Sequence, residues 1–344
     1  MLVHTPGSPR QPIRRTAEGG DGTAQRQARH GRPDERSTVV IAPNRCPALA
    51  SLLGSRVLRV EDLTRPWASG VRTSLVTLED GRRVVHQEGA TTIAGREGIA
   101  RRMRFARALR STAPGLPVPD VLGGDERANP PFAVMSYIAG ESGDALLATP
   151  AGAARLGGLA GGAANALAAV PAAAVLAAMP GRRLPSTWAD PDRLATAAAG
   201  WLREAGPVLD APAVESARAV LDRIPGLLAA PPVVAHGDLA PVNLLVVGEG
   251  LSGILDLERL RLAPQLFDAA WFRLLVSHHH PERWPHAGPP FLAALGLSED
   301  TVTDAAMDDL AVLACLEMLA ALPRRSPGRV AWAARARELL RMDR

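Results

Sequence analysis

Hydrophobic and polar residues begin to alternate near residue 55, and this period of two predicts a β-rich N-terminal region. The segment Glu79-Asp80-Gly81 is typical of a hairpin turn between two of its strands. Residues 91–110 change to helical spacing, with apolar side chains along one face, and therefore predict one helix in this region. The predicted strands span residues 55–60, 73–78, 82–87 and 132–137.

Beyond residue 150 the apolar positions recur mainly at helical spacing, so this part of the chain is predicted to be largely helical. Helices are predicted at 190–205, at 213–224 and from Phe267 onward, where a Pro- and His-rich loop at 278–290 interrupts them. A compact β element is predicted at 233–256. This order predicts an α+β fold with a small β-rich N-terminal lobe and a larger, mainly helical C-terminal lobe.

The uncharged stretch at 156–181 raises the question of a membrane span. It consists mostly of alanine and glycine, which contribute little transfer free energy, and Asn165 and Pro171 interrupt it. A pair of buried helices is therefore the better interpretation, and no membrane partner is expected.

Composition limits the classes of partner. All 39 basic residues are arginine, which raises the pI to about 10.2 although the net charge is only +4. Most of that charge lies in residues 1–36, an Arg-, Gly- and Pro-rich segment that predicts a disordered tail. The remaining chain is nearly neutral, which argues against nucleic acid as a partner. Two distant cysteines and the lack of a signal-peptide pattern favour the cytoplasm.

The segment most informative about chemistry follows the apolar run at 233–235. A polar loop presents His236, Gly237 and Asp238, and Asn243 follows five residues after the aspartate. Phosphoryl transfer needs such a pair, a base for the hydroxyl proton and an oxygen ligand for Mg²⁺. Asp256 follows on the next predicted strand, after a glycine-rich turn that can bring it to the same metal.

These residues carry a resemblance to a known family. HGDLAPVN, then ILDLE, then FDAAW resembles the signature of the aminoglycoside phosphotransferase and choline-kinase-like family. The resemblance implies a bilobal protein-kinase-like fold and ATP- and Mg²⁺-dependent phosphorylation of a hydroxyl on a small molecule. In that family pattern Asp238 matches the catalytic aspartate and Asn243 and Asp256 match the metal ligands. His236 matches a histidine that buttresses the loop, and Asp268 matches an aspartate that supports it.

The family pattern also extends to the N-terminal half. Ser69 and Gly70 stand where the loop covering the nucleotide phosphates is expected, and Glu97 stands in the helix that follows the third strand. The hinge of the family implies adenine binding by the backbone around Met135, Ser136 and Tyr137. The implied segments are a tail at 1–40, a nucleotide-binding lobe at 41–135, and a lobe at 136–344 with the catalytic loop, metal loop and substrate pocket.

One departure from the family concerns the lysine expected on the third strand, because the chain contains no lysine. Aligning Arg83-Val84-Val85-His86 on the family pattern predicts that Val84 and His86 face the nucleotide and that His86 faces Glu97. Arg82 is the alternative phosphate contact. The missing lysine keeps a second hypothesis open, a non-catalytic kinase-like nucleotide-binding protein.

The acceptor is left open by the sequence. An antibiotic is one candidate, and a metabolite such as an amino alcohol or a sugar derivative is another. An acidic cluster is predicted to form either a solvated helix face or part of a pocket for a cationic substrate. Its members are Glu299, Asp300, Asp304, Asp308 and Asp309.

Overall fold

The computed structural model describes residues 47–64, 70–179, 181–297 and 304–341. The tail predicted at 1–40 lies outside the described residues, and so does Ser69. The N-terminal part is a five-stranded antiparallel sheet with the strand order β1-β2-β3-β5-β4. Its strands are β1 (Val57–Asp62), β2 (Val71–Leu78), β3 (Arg83–Gly89), β4 (Val121–Asp125) and β5 (Phe132–Ser136).

The two faces of this sheet are covered by different helices. Helix α1 (Pro47–Leu53) contributes Leu49 and Leu53 to a small core that also contains Val84 and Val134. Helix α2 (Ile93–Thr112) covers the opposite face, where its Ile99 leaves no room for a Cβ at Gly89. A residue of β3 therefore faces either α1 or α2 according to whether its number is even or odd.

The C-terminal part is mainly helical, with two small sheets of order β6-β8-β9 and β10-β7. The helices are α3 (Pro150–Ala168), α4 (Ala172–Ala177), α5 (Pro191–Ala205), α6 (Ala211–Asp222), α7 (Ile224–Leu227), α8 (Leu266–His279), α9 (Trp284–Ala294), α10 (Asp304–Ala321) and α11 (Pro327–Arg341). The strands are β6 (Glu141–Ser142), β7 (Val233–Ala235), β8 (Leu244–Val247), β9 (Gly250–Ile254) and β10 (Arg261–Ala263).

The predicted α+β class, with a β-rich N-terminal part and a mainly helical C-terminal part, is confirmed. The strands predicted at 55–60, 73–78, 82–87 and 132–137 form β1, β2, β3 and β5, each within two residues of the predicted ends. Helix α1 and strand β4 were not predicted. The first has only seven residues, and the second contains two glycines, which weaken a strand pattern.

The uncharged stretch forms the larger part of helix α3, which is buried along one face, and the short helix α4, in which only Val175 is buried. Helix α3 turns Gly157 and Gly161 toward α9, and a Cβ at either position would collide with a backbone carbonyl oxygen, of Ala287 or of Phe291. None of the described helices is long and apolar enough to cross a bilayer. The glycines therefore serve close helix packing.

The prediction of a loop at 278–290 is wrong, because α8 extends to His279 and α9 begins at Trp284 and continues through Pro289 and Pro290. Proline normally disfavours a helix interior. Here Ala287 and Phe291 of α9 are fully buried, and α9 packs closely on the glycine face of α3. Tertiary packing outweighs the local preference of these prolines.

This helix pair gives a matched test. We expect Gly161→Ala to lower the free energy of unfolding by about 1–3 kcal/mol, because the added methyl group must displace the backbone of α9. Gly162 is the control in the same helix, since a Cβ there meets no atom within 4 Å. Gly162→Ala should stabilise the protein by up to about 1 kcal/mol through helix propensity. Denaturant unfolding measures both, and equal effects of the two changes would contradict the close packing.

Candidate active site

A buried carboxylate organises the loop that follows β7. Asp268 lies near the N-terminus of α8 and is only 2% exposed. One of its oxygens accepts the backbone N–H of His236 at 2.8 Å, and the other accepts that of Gly237 at 3.0 Å. Burial raises the pKa of Asp268, whereas these two donors act in the opposite direction. The side chain therefore fixes two consecutive peptide groups of the loop.

The ring of His236 connects this loop to the next strand. It is fully buried, and its Nδ1 accepts the backbone N–H of Asp238 at 3.2 Å. Its Nε2 lies 2.8 Å from the carbonyl oxygen of Leu255, the residue before Asp256. These partners assign the neutral tautomer with the proton on Nε2. The histidine thus holds the two acidic segments of the site at a set distance.

Gly237 is required by the shape of the same turn. Its φ of 81° lies in the left-handed region, and a Cβ would collide with the carbonyl oxygen of Arg259. Only glycine meets both conditions without strain.

The side chain of Asp238 is held by an aromatic residue. The indole Nε1 of Trp271 donates a hydrogen bond to Oδ1 of Asp238 at 2.8 Å. Trp271 stacks on Trp332 of α11 with ring centroids 5.4 Å apart, and the Arg335 guanidinium lies 4.5 Å from the Trp332 ring centre. Trp271 was not predicted as a functional residue. Its position one helical turn after Asp268 was the available signal.

Asn243 and Asp256 lie at the same end of a hairpin. Strands β8 and β9 pair Leu244 with Ile254, and the carbonyl oxygen of Asn243 accepts the N–H of Leu255 at 2.8 Å. The side-chain Nδ2 of Asn243 donates to the carbonyl oxygen of Asp238 at 3.0 Å. The hairpin predicted from the glycine-rich turn is therefore present and brings the two residues together.

The oxygen atoms at this end of the hairpin fit a magnesium ion. Asp256 has a left-handed backbone with φ 62° and ψ 50°, a conformation that costs a residue other than glycine about 1–3 kcal/mol and is typical of functional sites. Its Oδ1 is buried and accepts no hydrogen bond from the described residues. Asn243 uses its amide nitrogen, which leaves its oxygen for a cation.

A metal here would need further ligands. In the described part of the chain, no group of three or more His, Cys, Asp or Glu side chains could hold a metal alone. Magnesium is commonly held by one or two protein oxygens together with phosphate oxygens. The pair of Asn243 and Asp256 matches that pattern.

Arg102 of α2 also enters the site, and it is not among the residues predicted from the sequence. The side chain is 10% exposed and its Nε donates to Oε2 of Glu258 at 2.8 Å. Its Nη2 lies 2.9 Å from Oδ1 of Asp256, an ion pair without hydrogen-bond geometry. Burial opposes its charge, but Asp256 and Glu258 outweigh that effect and raise the pKa of Arg102. Nothing in the arginine-rich sequence of α2 distinguished this residue from its neighbours.

The prediction that His86 faces the nucleotide side is wrong. His86 shares a face of β3 with Val84 and lies 5.6 Å from the ring of Phe132, on the α1 side of the sheet. Burial lowers the pKa of His86, so its ring is neutral at pH 7. The neighbouring residue Gln87, one position further along β3, lies on the α2 side together with Gly89. A one-residue error in the alignment reversed the face.

The predicted pair between His86 and Glu97 is therefore also wrong. Glu97 lies on α2, and its carboxylate contacts two arginines of the same helix, Arg101 at 3.1 Å and Arg104 at 3.8 Å. Its side chain is 43% exposed. Glu97 is paired within its own helix and not with the third strand.

The remaining predicted nucleotide contacts that the structure describes lie at or next to the ends of β2 and β5, two interior strands of the sheet. Gly70 precedes β2 with a φ of 78° and accepts the N–H of Ala90. Met135 and Ser136 end β5, and the Ser136 hydroxyl accepts the N–H of Asp120 at 2.8 Å. Tyr137 follows, with the Arg83 guanidinium 3.9 Å from its ring centre. These positions are compatible with a loop and a hinge beside the site, and their contact with a nucleotide stays a prediction.

The described acidic residues of α10 are paired with arginines and do not form a free anionic pocket, and of the three only Asp304 is largely exposed to solvent. Asp309 is 2% exposed and binds Arg223 through both oxygens at 2.6 and 2.8 Å. Asp308 and Asp304 both contact Arg273. Glu299 and Asp300 lie outside the described residues. The described carboxylates are paired with arginines inside the C-terminal part.

The fold and this site define the class. A β-rich N-terminal part joins a helical part whose loop carries an aspartate, an asparagine and a second aspartate, which is the arrangement of kinase-like phosphotransferases. A profile of the phosphotransferase enzyme family matches residues 65–333. The chain belongs to this family, and it is a phosphotransferase.

Solved structures support the fold. The chain is similar to the GDP complex of aminoglycoside 2'-phosphotransferase-IIIa, with 17% identity, a TM-score of 0.62, and coverage of 83% of this chain and 91% of that one. It is also similar to macrolide 2'-phosphotransferase MphH from Brachybacterium faecium, with 18% identity, a TM-score of 0.58, and coverage of 88% and 98%. No curated protein is similar enough in sequence to be matched.

The hydrogen bond from Trp271 leads to a prediction about turnover. Trp271→Phe keeps an aromatic ring for the stack on Trp332 but removes the donor to Asp238, so the carboxylate can rotate. We expect kcat to fall by about 10-fold with little change in nucleotide KM, because misplacement of a reacting group affects turnover more than binding. Trp332→Phe is the control, since it leaves the indole hydrogen bond in place. Equal losses of kcat in both variants would show that turnover depends on the packing of the two tryptophans and not on the hydrogen bond to Asp238.

Proposed function

We propose that this protein uses ATP and Mg²⁺ to phosphorylate a hydroxyl group of a small molecule in the cytoplasm. The observation that carries the proposal is the joint arrangement of Asp238, Asn243 and Asp256. A hydrogen bond links the first two, and a hairpin holds the third beside the second. A base and two oxygen ligands held together in this way suit phosphoryl transfer.

Asp238 is the proposed base. With Oδ1 engaged by Trp271, the other carboxylate oxygen is left to accept the proton of the acceptor hydroxyl. The hydroxyl oxygen then forms a bond to the γ-phosphorus while the bond from that phosphorus to the ADP oxygen breaks. Asn243 and Asp256 would hold Mg²⁺, which when bound neutralises charge on the phosphate oxygens.

The nucleotide contacts follow from the same proposal. The backbone around Met135, Ser136 and Tyr137 would bind adenine, and the loop with Ser69 and Gly70 would cover the phosphates. One structure to which the chain is similar is a GDP complex. The choice between ATP and GTP is therefore tested directly by supplying both.

The alternative is a kinase-like protein that binds nucleotide without turnover, which the missing lysine first suggested. The state of the catalytic loop favours an active enzyme. Both oxygens of Asp268, both ring nitrogens of His236 and one oxygen of Asp238 have hydrogen-bond partners within the loop or next to it. Preorganisation of this kind is what lowers a barrier in phosphoryl transfer.

The acceptor is proposed as a small molecule with a free hydroxyl, and antibiotic inactivation and metabolite phosphorylation are both expressions of this activity. The pairing of Asp304, Asp308 and Asp309 with arginines gives no support to selection of a polycationic acceptor by α10. Trp332 stacks on Trp271, the residue that donates to the proposed base, and the Arg335 guanidinium lies over the Trp332 ring.

The experiment is a screen for acceptor-dependent release of ADP or GDP. Aminoglycosides, macrolides, nucleoside antibiotics, amino alcohols and sugar derivatives are offered with Mg²⁺ and each nucleotide. The proposal predicts release above the background without acceptor, and transfer of labelled phosphate to one acceptor. Nucleotide binding without transfer to any acceptor would favour the non-catalytic alternative.

Asp238→Asn tests the base. The carboxamide has nearly the same shape but does not accept the proton, so we expect kcat to fall by about 10²–10⁴-fold while nucleotide affinity changes little. Turnover and isothermal titration on the same preparation separate the two effects. Unchanged kcat in this variant would remove Asp238 from the proposed role.

A further inference from the structure

We propose that Arg102 of α2 supplies the positive charge that a third-strand lysine supplies to the nucleotide phosphates in kinase-like enzymes. This inference rests on the proposed function, since it assigns a residue to the phosphate end of the nucleotide. The charge then comes from the helix and not from the strand.

The third strand offers no cation at the required position. Gln87 occupies the position that faces α2, and it is neutral. His86 lies on the opposite face of the sheet against Phe132. Because the chain contains no lysine, any replacement must be an arginine or a histidine.

The two arginines at the start of the third strand are engaged elsewhere. Arg82 donates to the carboxylate of Asp80 at 2.7 Å and to the carbonyl oxygen of Leu53 in α1, also at 2.7 Å. Arg83 shares a face with Gln87, but its guanidinium lies over the ring of Tyr137 at the hinge. Neither is held beside the proposed metal ligands.

Arg102 has the location that the strand residues lack. It is one of the few buried charged side chains of the described residues, and it contacts Asp256 and Glu258 on the loop after β9. Gly98, one turn earlier in α2, also lies close to this loop, since a Cβ there would meet Oε2 of Glu258 at 3.5 Å, an ordinary contact distance. Helix α2 therefore brings its guanidinium to the proposed metal loop.

The charges around Arg102 explain why a positive charge at this position would favour nucleotide binding. Asp238, Asp256 and Glu258 are three carboxylates within its electrostatic range. A nucleotide adds further negative charge at this end of the site, so one fixed cation at low exposure has a large effect on its affinity. Arginine keeps its charge at any physiological pH, which a histidine on the strand would not.

The test is isothermal titration of Mg²⁺ and ATP into the full chain and its variants. Arg102→Gln removes the charge and retains hydrogen-bond donors for the carboxylates, and we expect Kd to rise by about 10-fold or more. Arg102→Lys retains the charge, and we expect its Kd to stay within about 5-fold of wild type. Thermal unfolding of each variant confirms that it is folded.

A lysine introduced on the third strand gives a more specific test of the inference. Gln87→Lys in the Arg102→Gln background should recover most of the lost affinity, because the lysine returns the cation to the α2 side of the sheet. His86→Lys in the same background is the matched control, and it should recover nothing because it faces α1. Recovery by both, or by His86→Lys alone, would overturn the assignment of strand faces and the inference built on it.

The outcomes separate the inference from the proposed function. If the wild-type chain binds neither ATP nor GTP, the proposed function fails. If wild type binds and Arg102→Gln binds equally or more tightly, Arg102 opposes the metal and the inference alone is wrong. If Arg102→Gln does not fold, the Arg102→Lys variant tests the inference instead. A folded lysine variant whose affinity for ATP falls 10-fold or more would contradict the claim that Arg102 acts through its charge.

Discussion

The carboxylate of Asp268 accepts hydrogen bonds from two consecutive peptide groups, those of His236 and Gly237, inside the protein core. Hydrogen bonds to a charged acceptor contribute about 1.5–3 kcal/mol each, and the buried N–H groups would have no other partner of comparable strength. The rest of the site depends on this contact. It sets the left-handed turn at Gly237, and from that turn the ring of His236 reaches the carbonyl oxygen of Leu255 and the side chain of Asp238 reaches the indole of Trp271.

The same helix supplies a second constraint. Asp268 and Trp271 lie one turn apart on α8, so one rigid element positions both the backbone of the loop and the side chain of its aspartate. On the other side, Arg102 ties helix α2 to Asp256 and Glu258. Asp256 therefore lies between the hairpin and an arginine of the N-terminal part, in a strained backbone conformation that its surroundings must maintain.

Much of the fold and of the catalytic loop could be predicted from the sequence. The strands followed from alternation, and the loop followed from the order of His236, Asp238, Asn243 and Asp256, because local spacing fixes what a hairpin brings together. The residues on the side of the proposed nucleotide site were harder to predict from the sequence. A shift of one residue reverses the face of a strand, so His86 was assigned to the side that Gln87 occupies.

Other features depend on contacts between distant segments and carry little local signal. Arg102 acquires its role from residues more than 150 positions away, and it stands among several arginines of the same helix. Helix α9 continues through two prolines because it packs on the glycines of α3. The described acidic residues of α10 form ion pairs because Arg223 and Arg273 lie opposite them. Pairing of this kind is decided by the fold and not by spacing.

Amide hydrogen exchange at residues 236–238, in wild type and in Asp268→Asn, measures the central contact directly. An asparagine at this position has one acceptor oxygen, and its NH₂ group would face the second backbone N–H. We expect slow exchange of the His236 and Gly237 amides in wild type and exchange at least about 10-fold faster in the variant, which corresponds to the loss of about 1.4 kcal/mol. Equal protection of both amides in a folded Asp268→Asn protein would contradict the claim that this carboxylate holds the catalytic loop.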